Sequence, residues 1–244
     1  MYVVQAALYG VWLSSDGSET GTRRRRPARL TKSAVVGRAL ELADRGGVDA
    51  VTIRRLATEL GVTPMALYWH FRSKDELLAA LSEHIWDEMD LDVDRTAPWL
   101  DQLRAMLESL VGVLRAHPSG AQLVLTHEKE SEGSLRAAEL ALGLLRGAGF
   151  NAEQASQITQ GGMWTALSLV MSEPGFEPDV KAGLDDAERA EVMRRKQVQL
   201  AMLPVDKYPH LVDCAIPFTN GDAEFHYRFG IDLFIAGVQA LAPS

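Results

Sequence analysis

Apolar residues recur three and four positions apart along this chain and almost never alternate, so the pattern predicts helices and no strand of useful length. The helical period begins at Thr31. Ala34, Val35, Ala39, Leu42 and Ala43 form a first stripe, which Gly46 and Gly47 end because glycine takes the left-handed conformation that closes a helix. A second helix opens at Thr52, a good N-cap, carries Ile53, Leu56, Ala57 and Leu60 on one face, and stops at Gly61. A third opens at Thr63, with Pro64 in the first helical position where its missing N–H costs nothing, and ends near Phe71. The fourth starts at Ser73-Lys74-Asp75-Glu76, read as a capping box, and runs to about Met89. Beyond an acidic break from Asp90 to Pro98, helices are predicted over 99–116, 151–171, 185–203 and 222–241. Weaker helical stretches fall at 121–125 and 134–148, and a short one around Leu211 is bracketed by Pro204, Pro209 and Pro217. No internal repeat is found.

Composition narrows the class. With 47% apolar residues in 244, a sizeable core can be buried. The single cysteine, Cys214, excludes an intrachain disulfide and any Cys₄ or Cys₂His₂ metal site, and no cofactor is expected. The net charge of −8 is unevenly spread. Residues 1–75 carry twelve Lys/Arg against seven Asp/Glu, net +5; the rest carries thirteen against twenty-six, net −13. That asymmetry suggests a polyanion-binding head on an acidic body. Met1–Leu13 is apolar but too short to span a membrane, and it lacks the leading positive charges of a signal peptide. A soluble, cytoplasmic protein with no membrane partner is expected. Residues 1–28 read as a flexible extension, with a Ser/Gly/Thr-rich linker at 14–22. Its run Arg23–Arg26 is either a solvated, salt-sensitive linker or an arm that follows the nucleic-acid backbone.

The second and third helices, joined at Gly61-Val62, form a helix-turn-helix with Thr63–Phe71 as the rod that would enter the major groove. Leu67 and Phe71, four apart, face inward, which turns Met65, Ala66, Tyr68, Trp69 and His70 outward. A row of exposed aromatics is hard to explain as core, but it suits phosphates, sugars and thymine methyls. The competing reading packs Tyr68 and Trp69 against the fourth helix.

The stretch Thr52–Lys74, with Leu67-Tyr68-Trp69-His70 at its centre, resembles the signature of TetR-family repressors; the likeness extends over about Leu30–Met89. A thinner likeness, from Phe229 to Ala240, is to the last helix of the tetracycline-repressor-like C-terminal domain. The resemblance implies an all-α fold: a three-helix helix-turn-helix domain at 29–75 and a helical ligand-binding and dimerisation domain at 76–244. It implies operator double-stranded DNA as a partner. Thr52 and Arg54 would touch phosphate and base, and Thr63, Pro64, Met65 and Ala66 would read bases. Tyr68, Trp69 and His70 would clamp the backbone, and Lys74 would hold a phosphate. The sequence departs from the tetracycline repressors at Pro64-Met65, where they have a polar residue followed by proline, and at Ile53, where they have threonine. Readout would therefore rely on apolar contacts and Arg54, and the operator should differ from theirs.

The resemblance also implies a homodimer built on the last long helices, and a small lipophilic effector. Gly161-Gly162-Ala166 and Phe229, Leu233, Ala236, Gly237 and Ala240 are candidate seams, because small residues allow close helix approach. Ordinary core is the alternative for both. Trp99, Leu103, Met106, His127, Met163, Trp164, Thr165 and Phe176 are the pocket candidates, being the aromatic, Met and polar residues of the middle helices. Asp90 stands where the tetracycline repressors place a drug-gripping histidine, which argues against a tetracycline–magnesium ligand. The implied mechanism is a ligand-driven population shift through the fourth helix that spoils the spacing of the two heads. An enzyme is the rival from another class, but the nucleophile-elbow, P-loop, zinc-protease and dinucleotide motifs are absent, so no catalysis is expected. Asp90, Asp92 and Asp94 open like a calcium loop, but Arg95 takes the place of its glycine. A DNA-binding repressor or activator that senses nothing remains open.

Overall fold

Side-chain caps set the start of most helices in this computed structural model, which describes residues 30–117, 119–126, 131–173, 186–219 and 222–243. Helix α1 (Lys32–Gly46) starts from Thr31, whose hydroxyl accepts the Ala34 amide at 3.2 Å. A single turn at Val48–Ala50 leads to α2 (Ile53–Leu60), capped by Thr52, and α3 (Pro64–Tyr68), capped by Thr63. Then come α4 (Lys74–Asp87), α5 (Trp99–Ala116), α6 (Gly120–Thr126), α7 (Glu132–Gly147) and α8 (Ala152–Met171). The chain ends in α9 (Asp186–Ala201), α10 (Pro209–Asp213), α11 (Ala215–Thr219) and α12 (Ala223–Ala240). Among the described residues there is no strand.

Four local expectations are corrected. Ala34 is exposed, whereas Val36 and Leu40 are buried, because α1 packs on both α2 and α4 and so buries a wider arc than one stripe. The recognition helix closes at Tyr68, although the Phe71 amide still reaches Leu67 O at 2.9 Å. Before α4, Ser73 accepts the Glu76 amide at 3.0 Å, but Glu76 returns its carboxylate to the Arg72 amide at 2.7 Å, one residue earlier than a capping box requires. The short helix around Leu211 is α10, with Pro209 as its first residue rather than a bracket, a place where the missing N–H leaves no helical bond unmade, and Pro217 falls inside the next helix, α11.

Helices α1 to α3 form a small bundle in which α2 packs on α1 and α3. Glu59 ties α2 to α1, its Oε2 lying 3.0 Å from Arg38 Nε and 2.9 Å from Arg45 Nη2. α4 packs on α1, and also on α6 and α7. The larger bundle joins α5, α7, α8 and α12 around buried residues such as Leu110, Leu114, Leu145, Phe150, Leu167 and Ile231. Each such side chain contributes about 2 kcal/mol by leaving water. α9, α10 and α11 contact chiefly one another. The described residues from Thr31 onward form one compact unit, so α4 belongs to both bundles rather than serving as a free linker.

Candidate nucleic-acid interface and ligand cavity

The turn between α2 and α3 rests on Gly61, at φ 65°, the left-handed conformation that costs other residues about 1 kcal/mol or more. Its amide and that of Val62 bond back to α2, the latter to Ala57 O at 3.0 Å. Leu67 and Phe71 are fully buried and anchor the short α3 from beneath. The opposite surface is apolar yet open: Met65 is 68% exposed, Tyr68 49% and Trp69 85%. Trp69 therefore does not pack against α4. Thr52, Arg54, Thr63 and Pro64 are exposed as well, and Ala66, His70 and Lys74 are half-buried. The threonine hydroxyls at 52 and 63 accept backbone amides of Arg55 and Ala66 and keep a proton to donate. Arg54 makes no ion pair among the described residues. Lys74 opens α4, where the helix dipole adds positive potential.

Between the helices of the larger bundle and α4 lies a cavity of about 410 Å³, within the size range of small-molecule sites. Leu103 and Met106 of α5, Met163 of α8 and Phe234 of α12 line it, together with Trp86 of α4 and the following Met89. Polar groups are few. The Ser134 hydroxyl donates to Ser131 O at 2.9 Å and the Thr159 hydroxyl to Ala155 O at 2.9 Å, so the protons of both are committed locally while their lone pairs can still accept; Gln160 is the third polar residue of the wall.

Of the eight pocket candidates, the structure brings three to this wall: Leu103, Met106 and Met163. Trp99 instead meets Phe150 edge-on, ring centres 5.8 Å apart. Trp164 points out of α8 and is 56% exposed. Thr165 spends its hydroxyl on Gly161 O at 2.8 Å and is off the wall. His127 and Phe176, like Arg23–Arg26, lie outside the described residues. Asp90 is exposed and off the wall, its carboxylate accepting the Asp92 amide at 2.9 Å. Sequence reasoning missed Trp86, Met89 and Phe234. The pair Trp86 and Met89, at the end of a helix already singled out as the connecting one and just beyond it, was the available signal.

The two small-residue seams separate. Gly161 and Gly162 face Phe234 of the same chain, and Ala166 is fully buried, so that seam is internal. The α12 stripe is not. Phe229 is 56% exposed and Leu233 66%, Ala236, Gly237 and Ala240 are open, and Phe225 stacks on Phe229 at 5.5 Å.

Comparison with known proteins agrees across the chain. Residues 36–81 match the profile of bacterial regulatory proteins of the tetR family, and residues 94–242 that of the tetracyclin repressor-like C-terminal domain. An HTH-type transcriptional regulator of Saccharopolyspora erythraea is 29% identical over 215 residues, 87% of this chain and 86% of its own length. The class A tetracycline repressor from transposon 1721 of Escherichia coli is 33% identical over 155 residues, 62% of this chain and 70% of its own. The crystal structure of the TetR family protein ActR of Streptomyces coelicolor with actinorhodin superposes with TM-score 0.72 at 26% identity, covering 89% of this chain and 100% of that one.

Proposed function

Since this chain belongs to the TetR family of bacterial regulatory proteins, we propose that it represses transcription by binding operator DNA as a homodimer through α2 and α3, and lets go when a small apolar molecule fills the cavity behind α4. It is a DNA-binding transcriptional regulator with the ligand-responsive body of that family. The observation that carries the DNA half is the open aromatic surface of α3, with Trp69 at 85% exposure beside Tyr68 and Met65. No folding reason places such residues in water. Thr52, Arg54, Thr63, Pro64, Met65 and Ala66 are the proposed groove contacts, and Tyr68, Trp69, His70 and Lys74 the proposed backbone contacts.

The head at 29–75 and the body at 76–244 are the two working parts. The relatives are regulators, not enzymes, and no catalytic role is proposed. Among the described residues no helix is long and apolar enough to cross a membrane, which suits a protein acting on DNA in the cytoplasm. For the effector, an apolar wall with few free polar groups favours a lipophilic compound; Leu103, Met106 and Met163 are its proposed contacts. Occupancy would shift the balance between two conformers, and decisive release requires a preference of several kcal/mol, about 5 for a swing from one dominant state to the other.

A gel-shift titration against the DNA upstream of the chain's own gene, at two salt concentrations, tests the DNA half. Selective binding by the wild type, lost in the Tyr68→Ala/Lys74→Ala variant, is the expected result. Equal, sequence-blind binding by both proteins that fades with salt overturns it.

A further inference from the structure

His117, the C-cap of α5, sits where the two bundles meet, with both ring nitrogens engaged. Nδ1 lies 2.9 Å from Asp44 Oδ2 on α1, and Nε2 lies 2.9 Å from Glu88 Oε2 at the end of α4. A neutral imidazole has one N–H and one lone pair, so it would donate to one carboxylate and turn its lone pair on the other. The geometry therefore fits the imidazolium, which can donate to both. The hydrogen bond to Asp44, opposed by partial burial and reinforced by Glu88, raises the ring's pKa to about 9. Ser119 strengthens the same junction: its hydroxyl donates to Ala43 O at 2.7 Å and its amide to Asp44 Oδ1 at 3.3 Å. Behind Glu88, His84 Nε2 stands 3.2 Å from Oε1.

The position of Glu88 gives this cluster a purpose. Trp86 and Met89, on either side of it in sequence, line the cavity. On the far side α7 presses on the same turn: a Cβ on Gly133 would come within 2.9 Å of Trp86 Cβ, and Arg136 Nη2 bonds Asp87 Oδ1 at 2.9 Å. Glu88 shares its turn with Trp86 and Met89, so an occupant that shifts this turn shifts Glu88 and, with it, one end of the side-chain bridge from α4 through His117 to α1.

We propose that His117 is the ionic joint of this regulator: shared as a cation between Asp44 and Glu88, it holds the head in its operator-binding orientation, and displacement of Glu88 releases the head. The inference rests on the regulator reading above and adds a positioning residue that touches neither DNA nor effector. It carries a pH signature. A conformer in which His117 keeps both carboxylates binds its proton more tightly than one in which it does not, so the joint's contribution is complete below about pH 6.5 and is lost as pH rises through about 9. The charged groups facing the ring are Asp44 from α1 and Glu88 from the end of α4, with His84 behind Glu88; the turn just before α6 presents the hydroxyl and amide of Ser119.

The test uses the full chain and a labelled duplex from upstream of its gene, with operator affinity read from pH 6.5 to 9.5 in wild type, His117→Gln, His117→Arg and His84→Gln. Wild type and His84→Gln should lose about tenfold in affinity across that range. His117→Arg, a permanent cation, should stay tight and flat, and His117→Gln weak and flat. A His117→Gln slope equal to wild type, or a His117→Arg slope that falls with it, overturns the proposal. Melting of wild type against His117→Gln supplies an arm without DNA. Their stability difference should shrink between pH 6.5 and 9, and a constant difference overturns the joint. Failure of every variant to bind the duplex, with that melting signature present, would count against the regulator reading instead.

Discussion

Single residues at helix ends account for much of the local structure. Thr31, Thr52, Thr63, Ser73 and Asn151 each accept an amide in the following turn, and each was legible because a cap needs only neighbours in sequence. Gly61 is of the same kind, and Gly61→Ala should lower stability by about 1 kcal/mol, measured by urea unfolding. Unchanged stability would mean that the turn relaxes away from φ 65°. Trp69 is the opposite case, a residue whose exposure has no structural return. Trp69→Ala should leave the melting temperature alone, within about 0.5 kcal/mol, yet weaken operator binding about tenfold. A large loss of stability with intact DNA binding would make Trp69 a packing residue. His117 was illegible because its partners lie 73 and 29 residues away in sequence.

At the scale of elements, α4 is the helix on which the account turns. Its two ends face different tasks, with Lys74 beside the recognition helix and Trp86 on the cavity wall. The sequence showed its N-cap at Ser73 but not which of its residues reach the cavity, because a wall assembled from α4, α5, α7, α8 and α12 leaves no periodic signature in any one of them. The same non-locality misplaced Trp164 and the Gly161-Gly162 seam. Small residues permit close approach from any helix, and the one that approaches is α12 of the same chain, through Phe234. Gly133 marks a close α4–α7 contact. Gly133→Ala, with its new methyl against Trp86 Cβ and backbone, should cost about 1–3 kcal/mol by overpacking. It should also weaken operator binding beyond what folded fraction explains, as seen by comparing unfolding curves with binding isotherms at 20 °C or another fixed temperature. Binding that tracks the folded fraction alone would remove α4 displacement from the mechanism.

For the whole molecule, the sequence is basic over its first 75 residues and acidic over the remainder. The exposed stripe on α12 is the feature a lone chain does not explain. Phe229→Glu with Leu233→Glu should give a monomer in sedimentation while leaving the helical content intact, because both side chains are open in the single chain. Since joining two heads raises avidity about a hundredfold or more, operator affinity should fall by at least that factor. A dimeric double variant would move the interface elsewhere.

The central claim is that cavity and head are coupled, and release from DNA measures it most directly. Compounds are first sorted by whether they raise the melting temperature of wild type but not of Ala141→Phe, which fills the cavity from α7. One such compound is then titrated into the labelled operator complex of each protein. The account predicts that it dissociates the wild-type complex at the concentrations that stabilise the free protein and leaves the Ala141→Phe complex bound. Equal release from both proteins, or cavity binding that leaves the wild-type complex intact, would contradict it.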